Sequence, residues 1–212
     1  MPTAADMLRR SSRGFRRRRM IRFLELFKPQ AEEPILDVGG SPELWQGTGY
    51  EGPIVFLNID PPYEGQSLPP GCTHVQGDGR HLPFGSDEFS IVFSNSVIEH
   101  VGDLEDQERF ASEIQRVAKR FWVQTPNRMF PLEPHMNFPA FQWLPETAAR
   151  AVVSRWPFSF YRRDGLIKEE AWEAVQQTRL LTVSEMRRLF PEATVWRERA
   201  LTLTKSIVVY QA

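Results

Sequence analysis

A short apolar run, Ile35–Val38, leads through the acid Asp37 into the glycine pair Gly39 and Gly40, followed by a serine and a proline. The glycines allow a tight turn and a close approach of the backbone to a ligand, because neither has a Cβ atom. Serine is a favoured N-cap and proline suits the first helical position, so the sequence predicts a helix directly after the glycines. The N–H groups at such a helix start favour an anion, either a pyrophosphate or a carboxylate.

The residues around the glycine pair narrow the choice of ligand. The dinucleotide fingerprint G-x-G-x-x-G requires three glycines, whereas only one glycine of this turn falls in register. Glu43, near the helix start, would also repel a pyrophosphate. These features disfavour NAD and FAD, and they favour a ligand that has one carboxylate and a cationic portion near Asp37.

Two further acids follow later strand-like runs. Asp60 follows Ile54–Asn58 and lies 21 residues after Gly39, a spacing at which an acid commonly binds ribose hydroxyls. Asp78 follows His74–Gln76. A single such acid is more often a turn or capping residue, but acids at successive strand ends predict one shared, nucleotide-like ligand.

Alternating strands and helices must position these residues. Residues 103–118 have the apolar spacing of a helix with Asp103 as its N-cap, and residues 39–53 are long enough for a crossover. The alternation predicts a doubly wound, mostly parallel α/β sheet, whose strands are buried on both faces. The five strand-like runs are Ile35–Val38, Ile54–Asn58, His74–Gln76, Phe89–Ser94 and Phe121–Thr125.

The two ends of the chain complete this arrangement. A capping box at residues 182–185 opens a helix that ends near Phe190. The runs Ala193–Arg199 and Lys205–Tyr210 then predict an antiparallel hairpin at the sheet edge. Near the N-terminus, Met20–Lys28 predicts a helix that packs on the body. The apolar stripe of that helix is predicted to be Ile21, Phe23, Leu24 and Phe27.

Residues 129–181 separate the fifth strand from the capping box and are rich in aromatic residues and prolines. Such an insertion at the carboxyl end of a sheet favours a substrate cover; a segment that packs its own small core is the alternative. We therefore predict a basic N-terminal arm and helix over residues 1–30 and an α/β domain over residues 31–212 that contains this insertion. The aromatic residues are Phe130, Phe138, Phe141, Trp143, Trp156, Phe158, Phe160, Tyr161 and Trp172.

Charge separates the N-terminus from the rest of the chain. Residues 1–22 carry eight arginines and one acid, a net charge of +7, and the remainder carries −8. This pattern predicts a solvated arm, or one that contacts an acidic protein surface, anionic lipid or nucleic acid. No nucleic-acid-binding motif accompanies the arm, which argues against a nucleic-acid function. The arginines are Arg9, Arg10, Arg13, Arg16, Arg17, Arg18, Arg19 and Arg22.

The chain has no apolar stretch of the length of a membrane span and no apolar signal region. Cys72 is its only cysteine, so an internal disulfide or a cysteine-rich zinc site is excluded. We expect a cytoplasmic protein. The oligomeric state is left open.

Four segments occur in order along the chain: Asp37-Val38-Gly39-Gly40, Asn58-Ile59-Asp60, Gly77–Phe84 and Phe89–Val101. Together they resemble the ordered motifs of class I S-adenosylmethionine-dependent methyltransferases, most closely the bacterial small-molecule branch that includes quinone-biosynthesis enzymes. The ending Lys205–Tyr210 is similar to the reversed final strand of that family. The resemblance covers most of residues 34–128 and resumes over 182–210. It implies a Rossmann-like sheet of seven strands and S-adenosylmethionine as the cofactor.

The resemblance implies that Asp37, Gly39 and Gly40 flank the methionine moiety of the cofactor. The turn departs from the three-glycine pattern of the family, because Ser41 and Pro42 follow Gly40. We expect this departure to alter the affinity of the protein for the methionine end of the cofactor.

The other matching residues are implied to bind the nucleoside and the sulfonium end. Asp60 would hold the ribose diol, and Asp78 would accept a hydrogen bond from the adenine amino group, with Gly79 behind it. Asn95 would lie near the sulfonium. Ser90 stands where the family often has an acid, a difference we interpret as structural.

Methyl transfer to an oxygen or a neutral nitrogen also requires removal of a proton, which favours a base near the acceptor. His135, which follows the fifth strand in Glu133-Pro134-His135, is predicted as a base or a substrate ligand, and His100 after the fourth strand is the second candidate. A hydrogen-bonded structural role is the alternative for each histidine. We predict no metal site, because one would require that Glu99, His100, Glu133 and His135 converge.

The sequence therefore predicts transfer of a methyl group from S-adenosylmethionine to an oxygen, nitrogen or carbon atom of a small molecule. The aromatic insertion favours an aromatic or lipid-linked acceptor, and the arm and Arg162-Arg163 leave room for an anionic or membrane-associated one. One alternative is a non-catalytic S-adenosylmethionine-binding or scaffold protein of the same fold. Another is a nicotinamide-dependent oxidoreductase, which the glycine pattern disfavours.

Overall fold

The computed structural model describes residues 4–61, 68–156, 159 and 165–212, with side chains from Gly14 onward. No helix in these ranges is long and apolar enough to cross a membrane. Predictions on the following groups lie outside the described residues: Phe158, Phe160, Tyr161, Arg162, Arg163 and the side chains of Arg9, Arg10 and Arg13.

Seven strands form the main sheet. They are β1 (Ile35–Val38), β2 (Ile54–Asn58), β3 (Thr73–Gln76), β4 (Ile91–Asn95), β5 (Arg120–Pro126), β8 (Thr194–Ala200) and β9 (Leu203–Gln211). Their order is β3-β2-β1-β4-β5-β9-β8. Strands β1 to β5 are parallel, and β9 pairs antiparallel with both β5 and β8. The predicted doubly wound sheet with an antiparallel edge hairpin is confirmed.

The helices connect and cover these strands. They are α1 (Ala4–Phe27), α2 (Pro42–Trp45), α3 (Leu104–Val117), α4 (Glu146–Arg155), α5 (Lys168–Gln176) and α6 (Val183–Leu189), with 3-10 helices at Ile98–His100 and Phe141–Trp143. Of the three predicted N-caps, Asp103 and Thr182 make capping hydrogen bonds, whereas the side chain of Ser41 makes none. Asp103 accepts a hydrogen bond from the N–H of Asp106, and Thr182 exchanges hydrogen bonds with Glu185 in a capping box.

The two faces of the sheet bury separate apolar clusters. Alternate side chains of a strand point to opposite faces, so Leu36 joins the cluster under α3 and α6, whereas Ile35 joins the cluster under α1. The α1 side is dominated by aromatic rings. Phe23 meets Phe93 and Trp122 edge-on, at centroid distances of 5.0 and 5.9 Å.

The buried face of α1 differs from the predicted stripe. Ile21 is 39% exposed, so its prediction as a packing residue is wrong. The buried residues are instead Arg19, Met20, Phe23 and Phe27. Arg19, Phe23 and Phe27 are spaced by four residues, which places them along one side of a helix. The helix therefore packs through a face that begins with a charged residue.

The helix predicted directly after the glycines is present and short. It starts at Pro42, as expected, but it ends after one turn at Trp45. Gly47 and Gly49 follow in the left-handed region, with φ of +73° and +80°, which a continuing right-handed helix does not allow. A single turn has few aligned peptide dipoles, so the predicted helix dipole contributes little to anion binding here.

The insertion packs a small core of its own, as one of the two predicted alternatives required. Its centre consists of Met136, Phe141, Ala149, Val153 and Ala171. It also contains a two-stranded hairpin, β6 (Leu132–Glu133) with β7 (Phe138–Pro139). This hairpin positions Glu133 and His135 above the carboxyl ends of the main strands through the short connection from β5.

Candidate functional site

The order of the parallel strands reverses between β1 and β4, which lie side by side. In open α/β sheets, ligands bind outside the carboxyl ends of the strands at such a point. Two segments occupy that place. One is residues 37–42, which we call the glycine turn, and the other is residues 95–100, which follow β4.

Both glycines of the turn are required by its packing. Gly39 has φ of +72°, and a Cβ atom there would lie 2.4 Å from Cγ2 of Val97. A Cβ atom on Gly40 would lie 1.8 Å from Oδ2 of Asp37. The turn therefore packs directly against the 95–100 segment on one side and its own acid on the other.

Asp37 lies inside the protein beneath the turn. Its side chain is fully buried, and Oδ2 accepts a hydrogen bond of 2.7 Å from the indole N–H of Trp45. Oδ1 has no hydrogen-bond partner among the described residues. Burial raises the pKa of Asp37 to about 7, and the Trp45 hydrogen bond opposes that rise only in part. The carboxyl group thus supports the turn from below and retains one unused acceptor atom.

Asp60 and Asp78 follow neighbouring strands but have different surroundings. Asp60 is exposed, two residues beyond the end of β2. Asp78 accepts three hydrogen bonds from the guanidinium of Arg80, the shortest of them 2.6 Å, and these lower the pKa of Asp78. Arg80 also contacts Asp106 at 3.0 Å. Of the two acids, Asp60 is therefore the one presented directly to solvent.

Gly79 is explained by packing against α3. A Cβ atom at this position would lie 2.7 Å from the ring of Phe110 and 3.1 Å from Val38. The glycine lets the chain after β3 pass close to the core. The predicted role of Gly79 behind Asp78 is compatible with this position.

Asn95, at the end of β4, is held by a residue from α1. The guanidinium of Arg19 donates through Nη1 to Oδ1 of Asn95 at 2.6 Å, and also to Oε1 of Gln124. Its Nε donates to Glu198 at 3.2 Å. Burial lowers the pKa of Arg19. The arginine is only 6% exposed, so it is part of the sheet edge and not of a solvated arm.

Arg19 is a residue that sequence reasoning missed. It was assigned to the arginine-rich arm because it directly follows Arg16, Arg17 and Arg18. The signal that identifies it is its spacing of four residues from Phe23 and eight from Phe27.

The structure brings both predicted histidines together with two acids. We call Glu99, His100, Glu133 and His135 the histidine cluster. The ring centroids of the two histidines are 4.8 Å apart. Nδ1 of His135 lies 2.7 Å from Oε1 of Glu133, and the other Glu133 oxygen accepts from the N–H of Met136. The convergence that the sequence could not reveal is therefore present.

Glu99 is the most deeply buried member of the cluster, with no exposed surface. Its Oε2 accepts a hydrogen bond of 2.8 Å from Thr125 at the end of β5. Its Oε1 has no hydrogen-bond partner in the part of the chain that the structure describes, and it lies 4.0 Å from Nε2 of His100. Among the described residues, Glu99, His100 and His135 form the one group whose ligand atoms lie close enough to share a metal ion.

The titration of the cluster follows from burial and mutual charge. Burial raises the pKa of Glu99, and the nearby His135 opposes that rise. Burial acts to lower the pKa of His135, but its hydrogen bond and charge interaction with Glu133 outweigh this and raise it. Desolvation and then His135 lower the pKa of His100 to about 4. The pKa values of the two histidines are therefore shifted in opposite directions.

A cavity of about 440 Å³ lies beside the cluster, and apart from Arg128 its lining residues belong to the insertion. Its volume is in the range of small-molecule sites. Apolar side chains form much of its wall, and Glu133 and His135 form part of its polar rim. Its lining includes Glu133, His135, Phe141, Leu144, Trp172 and Val175.

Comparison with known proteins agrees with this arrangement. Residues 60–120 match the family model described as a methyltransferase domain. This match covers less than half of the chain. The sequence has no match among curated proteins.

Solved structures share the fold at low sequence identity. A candidate Zn-dependent alcohol dehydrogenase from Rhodobacter sphaeroides has a TM-score of 0.58 and 11% identity, with 91% of this chain and 88% of that chain covered. A candidate sarcosine dimethylglycine methyltransferase from Galdieria sulphuraria has a TM-score of 0.56 and 15% identity, with 89% and 64% covered.

A third similar structure holds the cofactor implied by the sequence motifs. Phosphoethanolamine N-methyltransferase 2 of Haemonchus contortus, in complex with S-adenosyl-L-methionine, has a TM-score of 0.53 and 14% identity, with 85% of this chain and 38% of that chain covered. These likenesses establish the Rossmann-like α/β fold that methyltransferases use. At this level of identity, the similarity concerns the fold alone.

Proposed function

We propose that the protein transfers a methyl group from S-adenosylmethionine to a small-molecule acceptor. The observation that carries the proposal is the position of the glycine turn and Asp60, at the carboxyl ends of adjacent strands beside the reversal of strand order. The match of residues 60–120 to a methyltransferase domain supports it independently.

The residues at this edge fit the cofactor. Asp60 is exposed and can accept hydrogen bonds from the ribose hydroxyls. Asp37, fully buried and bonded to Trp45, supports from below the backbone that the cofactor approaches. The close packing of Gly39 and Gly40 keeps the backbone of the turn low enough for that approach.

The nucleoside and the sulfonium would lie against the neighbouring strand ends. We assign Asp78 and Gly79 to the adenine, with Arg80 holding the Asp78 carboxylate in place. We assign Asn95 to the sulfonium end, where Arg19 fixes its side chain. S-adenosylmethionine supplies an already activated methyl group, so the main task of the protein is to align the acceptor.

The cavity lined by the insertion is the proposed acceptor site. Residues 95–100 run from the glycine turn, through Val97 against Gly39, to His100 in the histidine cluster. These six consecutive residues join the cofactor edge to the cluster, whose members Glu133 and His135 line the cavity. The wall favours an acceptor with an apolar or aromatic body, and the histidine cluster is placed to act on its oxygen or nitrogen atom.

Calorimetric titration with S-adenosylhomocysteine tests the cofactor site. We expect the wild type to bind and the Asp60→Ala variant to lose binding, because the ribose diol loses its acceptor. Glu192→Ala, an exposed acid in the turn before β8, is the matched control and should bind as the wild type does. Unchanged affinity in Asp60→Ala would refute the assignment.

The alternatives are distinguished by ligand and by product. The dehydrogenase named among the similar structures makes NADH the relevant competitor, and binding of NADH in place of S-adenosylhomocysteine would favour an oxidoreductase. A non-catalytic protein would bind the cofactor and never release a methylated product. Incubation of bacterial small-molecule extract with methyl-labelled S-adenosylmethionine, followed by mass spectrometry, detects that product and identifies the acceptor.

The arm has a separate proposed role at an anionic surface. Arg16, Arg17 and Arg18 are exposed on α1, and clustered guanidinium groups attract anionic lipid with a strength that falls as salt rises. Cosedimentation with phosphatidylserine vesicles, with and without charge-neutral substitutions at these positions, tests this contact.

A further inference from the structure

Glu99 presents a carboxylate oxygen that its surroundings leave unsatisfied. The residue has no exposed surface, Oε2 is held by Thr125, and the backbone carbonyl accepts from the N–H of Arg179 at 2.7 Å. Only Oε1 has no hydrogen-bond partner among the described residues. A buried carboxylate oxygen without a partner is costly, so this atom is arranged for a group that arrives from outside the chain.

Each histidine has a hydrogen-bond partner at Nδ1. Nδ1 of His135 is paired with Glu133, and Nδ1 of His100 lies 3.3 Å from the hydroxyl of Thr178. A histidine that ligates a metal through one nitrogen usually has its other nitrogen held by a carboxylate, hydroxyl or carbonyl group. The Glu133–His135 pair has the carboxylate form of that arrangement.

The spacing of the three residues suits a single ion. Their ligand atoms all lie within 4.8 Å of one another, and Oε1 of Glu99 is 4.0 Å from Nε2 of His100. Three ligand atoms that are each ~2.1 Å from one ion lie ~3.4 Å apart in tetrahedral geometry. The most widely separated pair of the cluster therefore needs to approach by ~1.4 Å to reach coordination distance.

We propose that Glu99, His100 and His135 bind one divalent first-row metal ion at the rim of the insertion cavity. Two imidazoles and one carboxylate form a donor set that suits Zn²⁺ and its neighbours in the first row. Three protein ligands leave at least one coordination position for a further group, and the cavity beside His135 offers space for it.

In the proposed reaction, the ion would activate a hydroxyl group of the acceptor. This role of the ion rests on the proposed function. A hydroxyl group of the acceptor that binds the ion loses its proton to solvent water more readily than a free hydroxyl group. Its oxygen is then held at the cavity rim, next to the segment that leads to the glycine turn. His135 serves in this case as a ligand, and Glu133 holds its ring.

Zn²⁺ titration of untagged, chelator-treated full-length protein tests the site. We expect one Zn²⁺ per chain by calorimetry, and Co²⁺ in its place should give visible absorption bands. His100→Gln should weaken Zn²⁺ binding at least about 100-fold, and Glu133→Gln, which loosens the His135 ring, should weaken it by about 10- to 100-fold. His74→Gln, on β3 outside the cluster, is the matched control and should bind normally.

Two results would overturn the proposal: no stoichiometric Zn²⁺ binding by the wild type, or wild-type affinity in both His100→Gln and Glu99→Gln. His100 has a side chain that is 40% exposed, so His100→Gln tests the site even where the buried Glu99→Gln variant fails to fold. S-adenosylhomocysteine titration separates the two proposals. Zn²⁺ binding without cofactor binding supports the metal site and removes the proposed function, whereas cofactor binding without Zn²⁺ binding overturns the metal site alone.

Discussion

The glycine turn and the histidine cluster lie at opposite ends of residues 95–100, but they are built in different ways. The turn is held by the sheet and its own chain: Asp37 meets Trp45 eight residues later, and the turn backbone bonds to Leu57 and Asn58 at the end of β2. The cluster combines the sheet with the insertion, since Glu99 is held by Thr125 of β5, whereas His135 and its partner Glu133 both belong to the insertion.

This difference has a consequence for binding. A turn that is held by the strands of the sheet keeps its shape when the insertion changes, as a site for an invariant cofactor requires. A cluster that draws on β5, the insertion and the residues near Thr178 changes with any of them. The acceptor side can therefore diverge while the cofactor side stays constant, and the following predictions test that independence.

The largest expected effect is a loss of activity on a change in the histidine cluster, with cofactor binding at the glycine turn retained. His135→Ala should lower the single-turnover rate about 100-fold or more, because it removes the group that acts on the acceptor proton directly or through an ion. Affinity for S-adenosylhomocysteine should stay within about twofold, a change of less than ~0.5 kcal/mol. A normal rate in this variant would exclude His135 from the chemistry, and His81→Gln is the control on an exposed histidine.

The next effect is on stability and concerns Arg19, which holds Asn95 at the start of the 95–100 segment. Arg19→Met leaves Glu198 buried without its partner, which should lower the free energy of unfolding by about 3–5 kcal/mol. The loss is measured by urea denaturation. Arg17→Met, an exposed neighbour on α1, should change stability by less than about 0.5 kcal/mol. A small effect of Arg19→Met would mean that α1 covers the sheet without supporting Asn95.

The third prediction is a pH dependence confined to the turn. An unfolded aspartate has a pKa of about 3.9, whereas burial raises that of folded Asp37 to about 7. The native state therefore binds more protons in this interval, and its stability should fall as pH rises from about 4 to about 7, by roughly 3–4 kcal/mol from this group.

Asp37→Asn removes the titrating group and should flatten that part of the stability curve. Urea denaturation at a series of pH values in the absence of cofactor measures the difference between the two proteins. Parallel curves for the wild type and Asp37→Asn would contradict the assignment of the slope to this carboxyl group.

The smallest predicted effect tests whether a change in the glycine turn leaves the histidine cluster unaffected. Gly40→Ala forces a methyl group against the Asp37 carboxylate and should lower the free energy of unfolding by about 1–3 kcal/mol. It should also weaken S-adenosylhomocysteine binding while Zn²⁺ affinity is retained. Gly14→Ala, on α1 with no atom near its new methyl group, should instead stabilise the protein by about 0.5–1 kcal/mol. Equal loss of both ligands in Gly40→Ala would show that the regions are not independent.

Much of the fold follows from local patterns. The strand runs, the Asp103 cap, the Thr182–Glu185 capping box and the edge hairpin were all predictable, because each depends on residues close together in the chain. Ile21 was predicted wrongly, whereas the start of helix α2 at Pro42 was predicted correctly and its end after one turn was not predicted. The apolar periodicity of α1 was read without its charged member Arg19, and the positive-φ glycines that end α2 were not weighed against the start signals at residues 41–42.

The sequence by itself determined the order of elements and the position of the cofactor candidates at strand ends. Parallel strands bring their carboxyl ends to one edge, so local register is enough to place Asp60 and Gly39 there. Only the tertiary structure decided that Arg19 is buried and that Glu99, His100 and His135 meet. The physical reason is separation along the chain: the orientation of a side chain in the histidine cluster depends on partners supplied by several packed elements, and no local pattern of residues encodes that packing.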